Sequence, residues 1–258
     1  MEQQLFPYLP FIIEKEFLPH PYLMEFDDSI YITHPQKLPQ VIGAAAGVIA
    51  GNRHLADYAE QFNPNVHVVP TVLNTNTFAP AEKKNRDKLI LGWSGIEYNF
   101  KYISRLAPVF NRLLARYPIE IVILSATAPK DFSFAFTHWK WDGATEVKQM
   151  NEFDVGLMPL ELDEWCKGKC GLKLLQYMSL KLPSIATPAG VNAEIIRDGS
   201  NGFCASDLEE WETKLIRLIE DSELRQRMGA AARSTVLEGY STNVWFPRLL
   251  EIYRRYAR

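Results

Sequence analysis

Apolar positions follow two periods along this chain, and the two periods alternate. Short apolar runs bounded by turn residues occur at Gly47–Ala50, 66–69, 89–92, 119–124, 153–158 and Ser184–Ala186, with a further run at 136–141 and a brief one near Phe203. Runs of this length and composition read as buried strands. Between them, helical spacing predicts helices over 52–62, 99–116, 145–151, 171–182 and 193–197. Strands alternating with helices imply an α/β fold. Its sheet is Rossmann-like and parallel, with right-handed crossovers and ligands at the carboxyl ends of the strands. From Asp207 onward the pattern is helical to the end: 207–220, 221–237 and a basic amphipathic stretch at 245–256.

The clearest unit spans residues 153–187. FDVGLMPL (153–160) is a strand running into Pro159; GKCGLKLLQYMSLKLPSIAT (168–187) adds a glycine-bearing turn, an amphipathic helix and a second strand. Together they form one βαβ unit. The helix should start near Cys170–Gly171 and end near Leu182, because Pro183 cannot continue it. Leu172, Leu175, Met178, Ser179 and Leu182 recur at helical spacing and are expected to face the sheet, while Lys169, Lys173 and Gln176, at i, i+4 and i+7, share another face. A helix N-terminus offers unpaired N–H groups and partial positive charge. Lysines there are unfavourable unless an anion offsets them, so the pattern points to a phosphate-bearing ligand rather than a solvated basic turn. Gly92-Trp93-Ser94-Gly95 is a glycine turn after a strand, of the kind that brings backbone N–H groups to phosphate.

The first 72 residues hold only two or three strand candidates (22–26, Gly47–Ala50 and 66–69), too few for a complete doubly wound sheet. Met1 to Phe17 reads as a helix interrupted by Pro7 and Pro10, and 38–45 as an apolar helix. The expected organisation is therefore a partial domain over 1–72, a complete Rossmann-like domain over 73–241 reached through the linker PTVLNTNTFAP (70–80), and a C-terminal helix over 242–258.

Composition narrows the function classes. At 258 residues, 47% hydrophobic and 23% charged, the chain has ample core material. A net charge of −3 argues against wholesale nucleic-acid binding. Three cysteines suggest reduced thiols and a cytoplasmic protein, and Cys166 and Cys170 lack the second ligand pair of a zinc site. There is no secretory signal pattern and no N-x-S/T site. The longest apolar run, 41–51, is about half the roughly 20 residues of a membrane span; the basic tail could contact an inner membrane surface, but packing within the protein is the preferred reading of it. Asp27–Asp28 invites a metal reading; with no third carboxylate nearby, a strand-ending pair capping its turn is preferred. His20, His34, His54 and His67 are scattered and receive no catalytic assignment.

GKCGLKLLQYM, followed by LPSIATPAGVNAEIIRDGSNGF, resembles the donor-binding half of the family-four retaining glycosyltransferases, which have two facing Rossmann-like domains (the GT-B arrangement). There the segment reads roughly E-x-F-G-x-x-x-x-E-A-M-A-x-G-x-P-V-V-A-T, then G-G-x-x-E-I-I and N-G-F. The similarity runs from about Ala50 to the C-terminus. EFDDSIY and VIAGNRHLADYA resemble the last part of the N-terminal, acceptor-binding domain; the family's catalytic-site histidine has no counterpart, so catalytic residues stay unassigned.

The resemblance implies retaining, metal-independent and cofactor-free transfer from a nucleotide-diphosphate sugar to a saccharide or lipid acceptor, in polysaccharide or glycolipid synthesis. It implies that Ser94, Gly95 and Lys101 meet the donor diphosphate, as do Lys169, Gly171, Leu172 and Lys173. Trp141 would meet the base, Gln176 the ribose, and Glu194 would lie at the site mouth. Gly168 stands where the family has its first glutamate; Asp163 or Glu164, in the loop just upstream, is a candidate to replace it, the other reading being a solvated acidic loop. Trp93 stands near the position of the arginine that accompanies the lysine. Two alternatives remain at this point: a non-catalytic nucleotide-sugar-binding subunit or truncated transferase needing a partner chain, and a sugar-nucleotide epimerase. The N-terminal segment is expected to expose apolar surface, the GVIA strand included, and so to self-associate or recruit a partner chain.

Overall fold

The structure, a computed structural model, describes residues 11–18, 21–83 and 86–257; the expected helix over Met1 to Phe17 lies partly outside them, as does His20. In chain order the first elements are α1 (Phe11–Lys15), β1 (Leu23–Phe26), α2 (Leu38–Ala44), β2 (Gly47–Ala50), α3 (Arg53–Ala59) and β3 (Val66–Val68). The three strands form a parallel sheet in the order β1-β2-β3. Asn52 starts α3 by accepting a hydrogen bond from the Leu55 N–H at 2.9 Å, satisfying one of the orphan donors of its first turn.

The second sheet begins with β4 (Leu89–Ser94). A 3-10 turn, Glu97–Asn99, leads into α4 (Phe100–Ser104) and α5 (Ala107–Arg116). The sequence predicts one helix here. Pro108 divides it, since a proline fits the first turn of a new helix but not the interior of a continuing one. β5 (Ile119–Ser125), β6 (Thr137–Lys140), α6 (Glu146–Asn151), β7 (Val155–Met158), α7 (Glu164–Lys167), α8 (Leu172–Ser179) and β8 (Ser184–Ala186) follow. Then come α9 (Asn192–Ile195), β9 (Phe203–Cys204), α10 (Leu208–Glu220), α11 (Ser222–Gly239) and α12 (Thr242–Tyr256). Asp207 and Asp221 cap α10 and α11 through the N–H groups of Glu210 and Leu224.

All pairings in this second sheet are parallel, in the order β6-β5-β4-β7-β8-β9. This is the doubly wound order, in which the chain starts at the centre, winds to one edge and returns to build the other. The two central strands, β4 and β7, diverge at their carboxyl ends, where such sheets bind ligands. Leu91, Ile121, Ile123, Val155 and Phe110 are fully buried in the core beneath that point.

The last helix crosses back onto the first sheet. The Tyr256 hydroxyl lies 2.9 Å from His67 Nε2 on β3, and its ring lies so close to Gly47 on β2 that a Cβ there would come within 2.6 Å of it. β2 is the middle strand, and Val48, Ile49 and Ala50 are 0–1% exposed. The expectation that the GVIA strand would be bare is therefore corrected: β1, β3 and the returning helix enclose it. Among the described residues, no helix is long and apolar enough to cross a membrane.

Candidate functional site

A cavity of about 420 Å3 opens where β4 and β7 part. Trp93, Ser94 and Gly95 form its wall at the end of β4, and Met158 and Pro159 at the end of β7. The start of α8 forms its floor, and Asp27 and Asp28, from the end of β1, face it from the other sheet.

The floor ends in uncapped helix donors. Gly171, the N-cap of α8, has φ +74°, the left-handed region that glycine enters without strain. A Cβ there would also press within 2.8 Å of Ile195 Cδ1. Glycine has no side chain to accept from the first-turn N–H groups, and α8 has no side-chain cap. These donors are therefore available to a ligand, at the positive end of the helix dipole.

Because Gly171 turns the chain immediately before α8, the i, i+4 relation does not extend back to Lys169, and the expected shared face is corrected. Lys169 Nζ reaches Asp28 Oδ1 at 2.8 Å, towards the first sheet. Lys173 Nζ reaches Glu146 Oε1 at 2.8 Å, towards α6. The anions that offset the two lysines are protein carboxylates. The sheet-facing set also differs from expectation: Leu172 is 45% exposed at the cavity, while Leu174 and Tyr177 are fully buried beside Leu175 and Met178.

Gly92, Trp93 and Ser94, expected in a glycine turn, belong instead to β4, and backbone donors there are used internally. Ser94 N–H donates to the Tyr177 hydroxyl at 2.7 Å, and Gly95 N–H to the Leu124 carbonyl at 3.1 Å. Burial, above all, drives the Tyr177 pKa up, so its hydroxyl keeps its proton. Ser94 Oγ, on the cavity wall, and Gln176 Oε1, on α8 but off that wall, are buried without a hydrogen-bond partner among the described residues, on residues only 3% and 5% exposed. Native interiors seldom leave such atoms unpaired unless a ligand or water completes them.

The tryptophan pair after β5 separates cleanly. Trp139 turns inward and stacks on Phe153, centroids 5.9 Å apart, whereas Trp141 is 41% exposed and lines the cavity. Four other sequence candidates, Lys101, Asp163, Gln176 and Glu194, stand off the cavity wall. Lys101 lies 4.9 Å above the ring of Tyr102 and 5.2 Å from that of Tyr98. Asp163 caps α7 by accepting from the Cys166 N–H at 2.7 Å; burial opposes its ionisation, but this bond and nearby polar groups outweigh it and hold the pKa low. Glu194 sits exposed in the first turn of α9.

Cavity residues that sequence reasoning missed include Tyr102, Cys170, Asp27 and Asp28. Burial, with the charges of Asp27 and Asp28, pushes the Cys170 thiol up to about 12, which favours the protonated thiol. The signal for the aspartates was the polar DD pair closing an apolar strand, which local spacing alone reads as a turn cap. Among the described residues, no cluster of three or more His, Cys, Asp or Glu side chains is arranged to hold a metal ion.

Residues 88–221, just over half of the chain, match the family model described as Glycosyl transferases group 1. The chain belongs to this family. A sucrose synthase from Melioribacter roseus is 35% identical over 93 residues, 34% of this chain but only 12% of that protein's length. Among solved structures, the sucrose-phosphate synthase of Thermosynechococcus elongatus superposes with a TM-score of 0.75 at 12% identity, covering 93% of this chain and 69% of that one. The Anabaena HepE protein, in complex with UDP-glucose, gives 0.74 at 13% identity, covering 91% of this chain and 72% of that one. At such identities the likeness establishes the fold, which is of the GT-B type. The group 1 match spans the second sheet from β4 through α10, and with it the uncapped start of α8, Trp141 and Ser94.

Proposed function

We propose that this chain carries the donor site of a glycosyltransferase that moves a sugar from a nucleotide-diphosphate sugar to a saccharide or lipid acceptor. The observation that supports this most is the uncapped N-terminus of α8, which faces a cavity at the switch point of the sheet with Lys173 beside it. A diphosphate seated there accepts from the first-turn N–H groups and draws Lys173 from Glu146. As the bond between the anomeric carbon and the phosphate oxygen breaks, negative charge grows on the diphosphate. Donors already fixed at that point stabilise the transition state more than the ground state.

The face of Trp141 offers stacking to the base, and the Gln176 amide and Ser94 hydroxyl offer hydrogen bonds to the ribose. Retention, independence of metal and cofactor, and a role in polysaccharide or glycolipid synthesis are parts of the proposal that rest on the family resemblance. A cytoplasmic location agrees with three free cysteines.

The test is a calorimetric titration of the purified chain with UDP, GDP and ADP, followed by assay of the matching nucleotide sugar with saccharide and lipid acceptors. One diphosphate should bind well below 1 mM, and transfer should yield a product of retained anomeric configuration. No heat from any diphosphate at about 1 mM, a level at which roughly 4 kcal/mol of affinity registers, would overturn the donor site.

A further inference from the structure

Gly168 has no room for a side chain. A Cβ there would collide with Ser29 Oγ and lie 2.7 Å from the Ser29 backbone N. The loop after β1 therefore rests directly on the turn between α7 and α8. Ser29 is fully buried there and donates its hydroxyl to the Glu164 carbonyl at 3.2 Å, which pins the loop. The two residues before it, Asp27 and Asp28, are thereby set into the cavity wall from the opposite sheet.

Asp28 is held by an ion pair across the cavity wall. Its Oδ1 accepts from Lys169 Nζ at 2.8 Å, and that ammonium also lies 5.3 Å from the centroid of the Trp165 ring. The pair is partly open to the cavity, with side chains 30% and 20% exposed. A carboxylate offers about four acceptor directions, and one ammonium satisfies only part of them. Aspartate beside a diphosphate repels it, so its use in this cavity lies with neutral donors, and a sugar ring carries several hydroxyls. Lys169 offsets the charge and lets a carboxylate and a diphosphate share one cavity. Opposite, the buried and unpartnered Ser94 hydroxyl shows that the same cavity leaves polar groups for a ligand to complete.

We infer that Asp28, oriented by Lys169, accepts hydrogen bonds from hydroxyl groups of the transferred sugar. The inference rests on the donor-site reading above and adds a residue from the N-terminal sheet as a determinant of sugar preference. The order along the cavity supports it: Trp141 and Lys173 lie towards α6, the start of α8 lies between, and Asp28 lies at the side of the first sheet. A nucleotide sugar laid base-first along that line places its sugar beside Asp28.

The experiment compares UDP with UDP-glucose, GDP with GDP-mannose and ADP with ADP-glucose, on the full chain and on Asp28→Asn and Asp28→Ala, with melting curves as a control for folding. The wild type should bind one nucleotide sugar more tightly than its parent diphosphate. In both variants that preference should fall at least fivefold, while affinity for the diphosphate stays within twofold or tightens because Lys169 is freed. Asp28→Glu, which keeps the charge, should restore part of the preference. If sugar and diphosphate affinities fall together, Asp28 only supports Lys169 and the inference is overturned. An unchanged preference overturns it equally. Failure of the wild type to bind any diphosphate strikes the donor-site reading itself, and this inference with it.

Discussion

Lys173→Ala tests the phosphate site, and the structure supplies a partner variant of opposite sign. Lys173 and Glu146 form a 2.8 Å ion pair whose side chains are 24% and 13% exposed. Breaking a buried pair by removing one partner costs about 3–5 kcal/mol, and an exposed pair contributes at most about 1 kcal/mol. A pair three-quarters buried falls between, so Lys173→Ala should lose about 1–3 kcal/mol of stability, visible as a lower melting temperature. A charge-assisted bond to phosphate is worth about 1.5–3 kcal/mol; leaving Glu146 offsets much of it, so affinity for the bound diphosphate should drop severalfold, up to about tenfold. Glu146→Gln removes the competing carboxylate while keeping the shape. It should also melt earlier, yet bind the diphosphate equally or more tightly, since Lys173 no longer has to leave an anion. Titration calorimetry with UDP, GDP and ADP at low and at physiological salt reads both. If the two variants weaken binding alike, the pair is a strut holding α6 to α8 and Lys173 is no phosphate ligand. Unchanged affinity in a folded Lys173→Ala protein refutes the assignment outright.

Ser94→Ala deletes a buried hydroxyl that has no partner among the described residues; an unsatisfied buried group costs about 1–3 kcal/mol. The variant should therefore melt at the same or a higher temperature while binding the nucleotide more weakly, and unchanged affinity would take the hydroxyl out of the site. Trp141→Ala should weaken all three diphosphates by about 1–3 kcal/mol, the range for one base on one aromatic ring, and abolish any quenching of tryptophan fluorescence on binding; equal affinities would exclude base stacking there. His67 carries a pH dependence: burial first, then the charge of Arg255, lowers its pKa below the ordinary 6.5. Between those two values the unfolded chain binds more protons, so stability is full above pH 6.5 and falls as the pH drops through the folded value. His67→Gln should flatten that part of the pH–melting profile, and an unaltered profile would show that other groups set it.

The strands and helix starts were the legible part of the sequence, for a local reason. Gly47–Ala50 and Ser184–Ala186 carry their burial in their own apolar runs, and Asn52, Asp207 and Asp221 cap helices three residues away. The split between α4 and α5 was equally readable, from Pro108, had its position been weighed against the apolar period. Of the site, Gly171, Lys173, Ser94 and Trp141 could be placed because strand ends and a glycine before a helix mark them. Where the lysines point could not. Leu172 keeps the helical period yet opens onto the cavity, because the sheet lies beneath a face set by Leu174, Leu175 and Tyr177.

The rule that a lysine at a helix start requires an anion held; the identity of the anion was beyond it. Glu146 lies 27 residues from Lys173, and Asp28 lies 141 residues from Lys169, so only tertiary folding brings them together. That outcome alters the binding logic. A cavity with bare lysines would attract any anion, whereas here a phosphate must displace a carboxylate already in place, and most of the Coulomb gain cancels. What remains is the uncapped start of α8, which no side chain among the described residues caps, and the groups proposed to answer to neutral hydroxyls: Ser94, Gln176 and Asp28. Inorganic phosphate engages only the first of these, and a free sugar only the second set. A ligand that joins a diphosphate to sugar and ribose hydroxyls engages both, which makes exchange of internal ion pairs a source of selectivity for the nucleotide sugar over its parts.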